Sequence, residues 1–154
     1  MIQKALFGAG CFWGVEETFR KTSGVIKTLV GYSGGNTINP SYESVCQGNT
    51  NHTEVVLVEF DNSKISYEDL LIVFWKCHDP TTLNRQGPDI GTQYISAIYY
   101  YNKDQKNKSI HSKNEYAKSA GINIVTEISE AKEFYKAEEY HQKYIQKTGL
   151  HCAI

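Results

Sequence analysis

The sequence predicts an α/β fold of the α+β kind, with helices flanking a mostly antiparallel sheet. Three observations carry that expectation. Stretches with strand-like alternation and stretches with helical spacing follow one another in the order β-α-β-β-α-β. The 154 residues are enough to bury a core without disulfide staples. No repeat, low-complexity segment or linker divides them, so one domain over residues 1–154 is expected, with a flexible C-terminal tail from about residue 148.

The elements follow in order. Residues 2–8 read as a short strand, and "GVEETFRKTSG" as a helix that a Lys-Thr-Ser turn and Gly24 bring to an end. "VIKTLVGYSGG" is a second strand running into a glycine turn, and "HTEVVLVEFD" alternates as a third. Ser66 and Asp69 form a capping box, after which Leu70, Val73, Phe74 and Cys77 fall on one helical stripe. That stripe makes Cys77 a buried structural thiol. "TQYISAIYYY" is a fourth strand, followed by a lysine-rich surface helix to about Gly121, a short strand near 122–128 and a helix over 131–147. This order is that of a split βαβ, ferredoxin-like plait with additions at its C-terminal end. Two long segments, 32–52 and 79–93, stay irregular. The second holds two of the three prolines, and long loops in compact domains usually carry function.

Composition narrows the partners. Sixteen Lys plus Arg stand against 17 Asp plus Glu, scattered singly, so no basic patch suited to a phosphate backbone exists and nucleic acid is not an expected partner. "MIQKALFGAG" lacks the apolar core of a signal peptide and no run of 18 apolar residues occurs, so a cytoplasmic protein without a membrane partner is expected. The four cysteines, Cys11, Cys46, Cys77 and Cys152, show neither a C-x-x-C pair nor zinc-like spacing. Cys77-His78 and His151-Cys152 are the only adjacent soft-ligand pairs, and no metal is expected.

"GAGCFWGVEETF", residues 8–19, places Cys11 where a strand hands over to a helix. There the thiol meets the positive end of the helix dipole and unpaired backbone N–H groups, which favour the thiolate, and small neighbours let a substrate approach. A small core residue is the alternative, and Cys11 alone does not separate the two. Phe12, Val15 and Phe19 form a core stripe. Trp13 lies off it, as a hydrophobic wall for an apolar substrate group would. In "EVVLVEF", Glu54 shares strand parity with Val56, Val58 and Phe60, so its carboxyl points toward an apolar face, where desolvation favours the protonated acid.

Five ordered stretches, "GCFWG" (10–14), "GYSGG" (31–35), "NPSYESVCQGNTNHTEVV" (39–56), "HDPTTLNRQGPDIGTQY" (78–94) and "AEEYHQKY" (137–144), resemble the A-type peptide methionine sulfoxide reductases. The resemblance implies reduction of the S epimer of methionine sulfoxide, free or in oxidised proteins, as a repair activity. It implies that Cys11 attacks the sulfoxide sulfur and becomes a sulfenic acid, with Glu54 as proton donor. Tyr42 and Tyr94 match positions that hydrogen-bond the sulfoxide oxygen. Asp89 matches the residue that contacts the substrate's backbone amide, and Phe12 and Trp13 match the cage around its methyl group. Cys152 matches a resolving cysteine whose disulfide with Cys11 is reopened by thioredoxin, or by a dithiol such as DTT in vitro. No bound cofactor is implied, and a monomer is expected.

The chain departs from the family pattern in two places: Ile95 stands where relatives often carry Arg, and His151 precedes Cys152 where an aromatic is expected. Cys46 matches a family V-C-x-G motif without a role to transfer. His141, on a Phe134, Ala137, Tyr144 helical face, reads as a hydrogen-bonded core histidine. Two other classes use the same residues. A cysteine hydrolase would pair Cys11 with a base such as His141, and a metal or redox-sensing module would need no turnover.

Overall fold

Strand β1 (Ile2–Ala9) runs through the middle of a six-stranded sheet, between β3 (Thr53–Asp61) and β6 (Ser96–Tyr100), antiparallel to both. In this computed structural model, which describes residues 1–149, β2 (Val25–Ser33) pairs with the other edge of β3. Helix α1 (Phe12–Arg20) joins β1 to β2 across the intervening β3, which is the split βαβ arrangement the element order predicted. Helix α2 (Tyr42–Cys46) precedes β3, and α3 (Tyr67–Lys76) follows it. A small hairpin, β4 (Arg85–Gln86) and β5 (Asp89–Ile90), sits inside the second long loop. Helix α4 (Lys103–Ala120) crosses over to β7 (Glu127–Glu130), which pairs with β6 in parallel, the only parallel pairing among the described residues. Strand β8 (Tyr135–Lys136) and helix α5 (Tyr144–Thr148) complete the described elements, and the six-stranded order is β7-β6-β1-β3-β2-β8.

The alternation of β3 divides its side chains between two apolar layers. Val56, Val58 and Phe60 face α1 and α3, in a core shared with Phe7, Phe12, Phe19, Leu70 and Phe74. Val55 and Leu57 face a smaller cluster with Leu6 and Tyr99, against which Ile95 and Phe134 pack. Phe7 stacks on Phe19 at 5.2 Å and on Phe74 at 5.1 Å, locking both helices to β1. Burial of each such ring is worth roughly 1.5–3 kcal/mol. The predicted capping box closes as expected, with Asp69 N–H donating to Ser66 Oγ at 3.0 Å and Ser66 N–H to Asp69 Oδ2 at 3.4 Å. Cys77 caps α3, its thiol donating to the Phe74 carbonyl, and burial pushes that thiol up to about 12, which makes it unreactive.

Four expectations are corrected. The helix expected over 131–147 does not form: residues 135–136 pair with the free edge of β2, Glu139–His141 make one 3-10 turn, and only Tyr144–Thr148 is helical. The unpaired edge of β2 offers this segment backbone partners that outweigh its helical spacing. Ala137 N–H donates to Val30 O, and the Gln142 side chain takes up both Val30 N–H and Val30 O. The fourth strand is shorter than expected, because Thr92–Tyr94 is a 3-10 turn and pairing starts at Ser96. Segment 32–52 is not wholly irregular, since Ser41 caps α2. The last expected strand lies at 127–130, shifted from 122–128 to stay in register with β6.

Candidate active site

The turn before α1 exists because of one glycine. Gly10 has φ +96°, and a Cβ there would stand 2.7 Å from Cγ of Gln86. Gln86 is itself buried, held by Asp79 N–H, which donates to its Oε1 at 2.9 Å, and by its own amide donating to the Asp79 carbonyl. The second long loop is thereby pressed against the strand-to-helix turn. Cys11 follows as the N-cap residue of α1, half-buried at the helix's positive end.

Glu54 reaches this same helix start. It is 1% exposed near the beginning of β3, on the face of Val56 and Val58 as parity required, and its Oε1 accepts the Phe12 N–H at 3.2 Å. Its carboxyl therefore binds the amide next to Cys11 in the chain. Register pairs Glu54 with Tyr32 on β2.

Tyr42 is the first residue of α2, and its ring lies 4.4 Å from that of His141 and 6.4 Å from that of Phe12. Burial, helped by the nearby Cys46 and Glu54, holds its phenol well above the usual range. Tyr94, at the end of the Thr92–Tyr94 turn, is raised in the same way, first by burial and then by Glu54, Cys46, Asp89 and Cys11. Both phenols stay protonated at neutral pH and can only donate to a developing oxyanion. Asp89 sits on β5 opposite Gln86, and partial burial raises its carboxyl. Cys46 ends α2, hydrogen-bonded to the Tyr42 side chain, with its thiol raised by burial.

Trp13 belongs to an aromatic cluster at the start of α1. Its indole stacks on Tyr144 at 4.0 Å and donates to His141 Nδ1 at 2.9 Å. Phe12 is fully buried and lines the cluster from the core side. His141 is buried and hydrogen-bonded as expected, though no helix carries it. Because Nδ1 accepts from Trp13, the neutral ring carries its proton on Nε2, and burial lowers its basicity. That removes it as the base of a cysteine hydrolase.

Cys11, Glu54, Tyr42, Tyr94, Asp89, Phe12 and Trp13 thus converge on one region, while Cys152 lies outside the described residues. Three residues of this region were given no role by the sequence, although Glu138 and Tyr144 lie in the 137–144 stretch that carries the family resemblance. Glu138 accepts from Tyr32 and Tyr42, Tyr144 backs Trp13, and the buried Glu16 accepts Lys143 N–H at 2.6 Å and Thr28 Oγ1–H at 2.8 Å. Their partners are distant in the chain, which spacing does not reveal. Among the described residues no cluster of three or more His, Cys, Asp or Glu side chains is placed to hold a metal ion. No described helix is long and apolar enough to cross a membrane. A groove of about 540 Å³ between α3 and α4, floored by Ile72, Trp75 and Tyr116, shares no residue with this region.

A thiol at the positive end of a helix, with the Tyr94 phenol and the Glu54 carboxyl in its neighbourhood, fits the chemistry of a thiol-dependent oxidoreductase. Known proteins narrow the class. A family model described as peptide methionine sulfoxide reductase matches residues 3–153, and the chain belongs to that family. It is 56% identical over 147 residues to the peptide methionine sulfoxide reductase MsrA of Methanothermobacter thermautotrophicus, covering 94% of this chain and 87% of the relative. It is 55% identical over 151 residues to the MsrA of Methanosarcina acetivorans, covering 97% and 80%. Among solved structures, Mxr1 from Saccharomyces cerevisiae in reduced form superposes with a TM-score of 0.94 at 36% identity, covering 99% of this chain and 88% of that one. Methionine sulfoxide reductase A of Corynebacterium diphtheriae gives 0.88 at 38% identity, covering 99% and 77%.

Proposed function

We propose that this chain is a peptide-methionine (S)-S-oxide reductase, acting on methionine sulfoxide free or within oxidised proteins. The Cys11 thiolate attacks the sulfoxide sulfur. That sulfur gains two electrons and leaves as the thioether of methionine, while Cys11 loses two and takes the oxygen as a sulfenic acid. Glu54, as a carboxylic acid, supplies the proton the departing oxygen needs, and the Tyr42 and Tyr94 hydroxyls donate to that oxygen as charge builds on it. Trp13, with Phe12 behind it, covers the S-methyl group, and Asp89 accepts the backbone N–H of the substrate methionine.

Cys152 then attacks the sulfenic sulfur, giving a Cys11–Cys152 disulfide and water, and thioredoxin reopens it by dithiol exchange. The tail from about residue 148 delivers Cys152 to an otherwise single catalytic domain over 1–154, working as a monomer in the cytoplasm. Both electrons come from thiols, so no resident metal or cofactor takes part.

The observation that carries this reading is the 3.2 Å hydrogen bond from Phe12 N–H to the buried Glu54 carboxyl, which supports a shared site for thiol and acid. Mass-spectrometric mapping of cysteine linkages after one turnover on each sulfoxide epimer tests it. A Cys11–Cys152 linkage is expected with the S epimer alone, and neither methionine nor linkage with Cys11→Ser. Methionine formation by Cys11→Ser would end the assignment of the nucleophile.

A further inference from the structure

The proposed chemistry uses no residue of 137–144, yet this stretch grips the site at several points. Trp13 is bonded to His141, and Lys143 N–H to Glu16. The most constrained contact is that of Glu138. Its Oε1 accepts the Tyr32 hydroxyl at 2.9 Å, and its Oε2 accepts the Tyr42 N–H at 3.0 Å. Tyr32 is fully buried on β2, opposite Glu54 in the β2–β3 register, so its hydroxyl is a fixed point of the sheet. Tyr42 N–H is an orphan donor of the first turn of α2, because the Ser41 hydroxyl is occupied with Ser44 N–H. One carboxylate therefore measures the distance between the rigid sheet and the short helix that carries Tyr42. Burial alone would raise this carboxyl, but the Tyr42 amide, Glu138's own backbone and the Tyr32 hydroxyl outweigh it and keep Glu138 ionised.

We propose that Glu138 is a positioning residue for sulfoxide reduction, fixing the Tyr42 phenol beside the Cys11 pocket by holding Tyr32 O–H and Tyr42 N–H at once. This rests on the reading that Tyr42 donates to the sulfoxide oxygen. Position rather than charge is what matters: a glutamine can accept from Tyr42 N–H through its carbonyl and donate to Tyr32 Oη through its amide, whereas an alanine can do neither.

Single-turnover rates of sulfoxide reduction test the proposal. Glu138→Ala is expected to slow the chemical step roughly 10–100-fold, the range typical when an outer partner of a reactive group is removed, with a much smaller change in half-saturating sulfoxide. Glu138→Gln is expected to restore most of that rate. In a Tyr42→Phe background, Glu138→Ala is expected to cost nothing further, because its effect runs through the missing hydroxyl. Should Glu138→Ala fail to fold, Tyr32→Phe removes the sheet-side anchor with little change in volume, and must slow the wild type but not Tyr42→Phe. Losses that multiply in the double variants, or a Glu138→Gln as slow as Glu138→Ala, overturn the inference. A slow Tyr42→Phe beside an unaffected Glu138→Ala removes this inference alone. A Tyr42→Phe as fast as wild type removes the role of Tyr42 on which it stands, and the inference with it.

Discussion

At the scale of the residue, one hydrogen bond from Phe12 N–H to the Glu54 carboxyl brings this acid to the helix start that follows Cys11. It joins the first apolar-facing position of β3 to the start of α1, bringing the Glu54 carboxyl to the residue after Cys11 although 42 residues separate Phe12 from Glu54. If Glu54 donates the proton, Glu54→Gln slows single-turnover methionine formation by about 10²–10⁴, with a modest change in half-saturating sulfoxide. An unchanged rate would show that another acid serves. Cys11's helix-start position and Glu54's parity were both legible, because each follows from local rules of turn chemistry and strand alternation. The Trp13–His141 bond was not, since it joins residues 128 apart and depends on a loop conformation no periodicity encodes.

Among the elements, β8 shows how an open sheet edge overrides local spacing. The chain over 134–137 lies against β2 because Gly31 leaves room: a Cβ there would stand 2.4 Å from the Tyr135 carbonyl oxygen and 2.6 Å from the Phe134 ring. Gly31→Ala is expected to cost about 1–3 kcal/mol, the typical penalty of overpacking, measurable as a lower midpoint in urea unfolding. It should also slow reduction more than stability alone explains, since β8 leads directly into Glu138 and His141. A variant as stable and as active as wild type would show that β8 docking does not depend on that space. Helix α3 and its Ser66–Asp69 capping box, by contrast, were readable residue by residue, because a cap and a stripe are properties of ten neighbouring residues.

Across the whole molecule, a chain of hydrogen bonds ties layers that the sequence leaves unrelated. His78 Nδ1 meets the Phe74 carbonyl at 2.6 Å, its Nε2 meets Ser96 Oγ at 2.6 Å, and Ser96 Oγ meets Thr126 Oγ1 at 2.7 Å, joining the end of α3 to β6 and the approach to β7. The Phe74 carbonyl can only accept, so Nδ1 carries the proton and Nε2 accepts from Ser96. Burial pushes His78 down to about 4, against the Phe74 carbonyl and Asp79, which favour the charged ring. Above pH about 6.5 the ring is neutral in both folded and unfolded chains. Below it the unfolded chain takes up a proton that the folded protein refuses, so stability falls toward pH 4 by at most about 1.4 kcal/mol per pH unit from this group. An NMR titration of the folded protein should find His78 still neutral at pH 5; a midpoint near 6.5 would refute this. The sequence alone determined the split βαβ order, the thiol at a helix start, the acid on the apolar face of its strand and the off-stripe tryptophan, because these arise from contacts among near neighbours and from strand and helix periods. Only the tertiary structure decided where residues 131–149 run, that Glu138 grips Tyr42 and Tyr32, and that His141 serves Trp13 instead of Cys11. Each of those depends on a partner about 100 residues away or more, and on which sheet edge is left open once β1, β2 and β3 have paired.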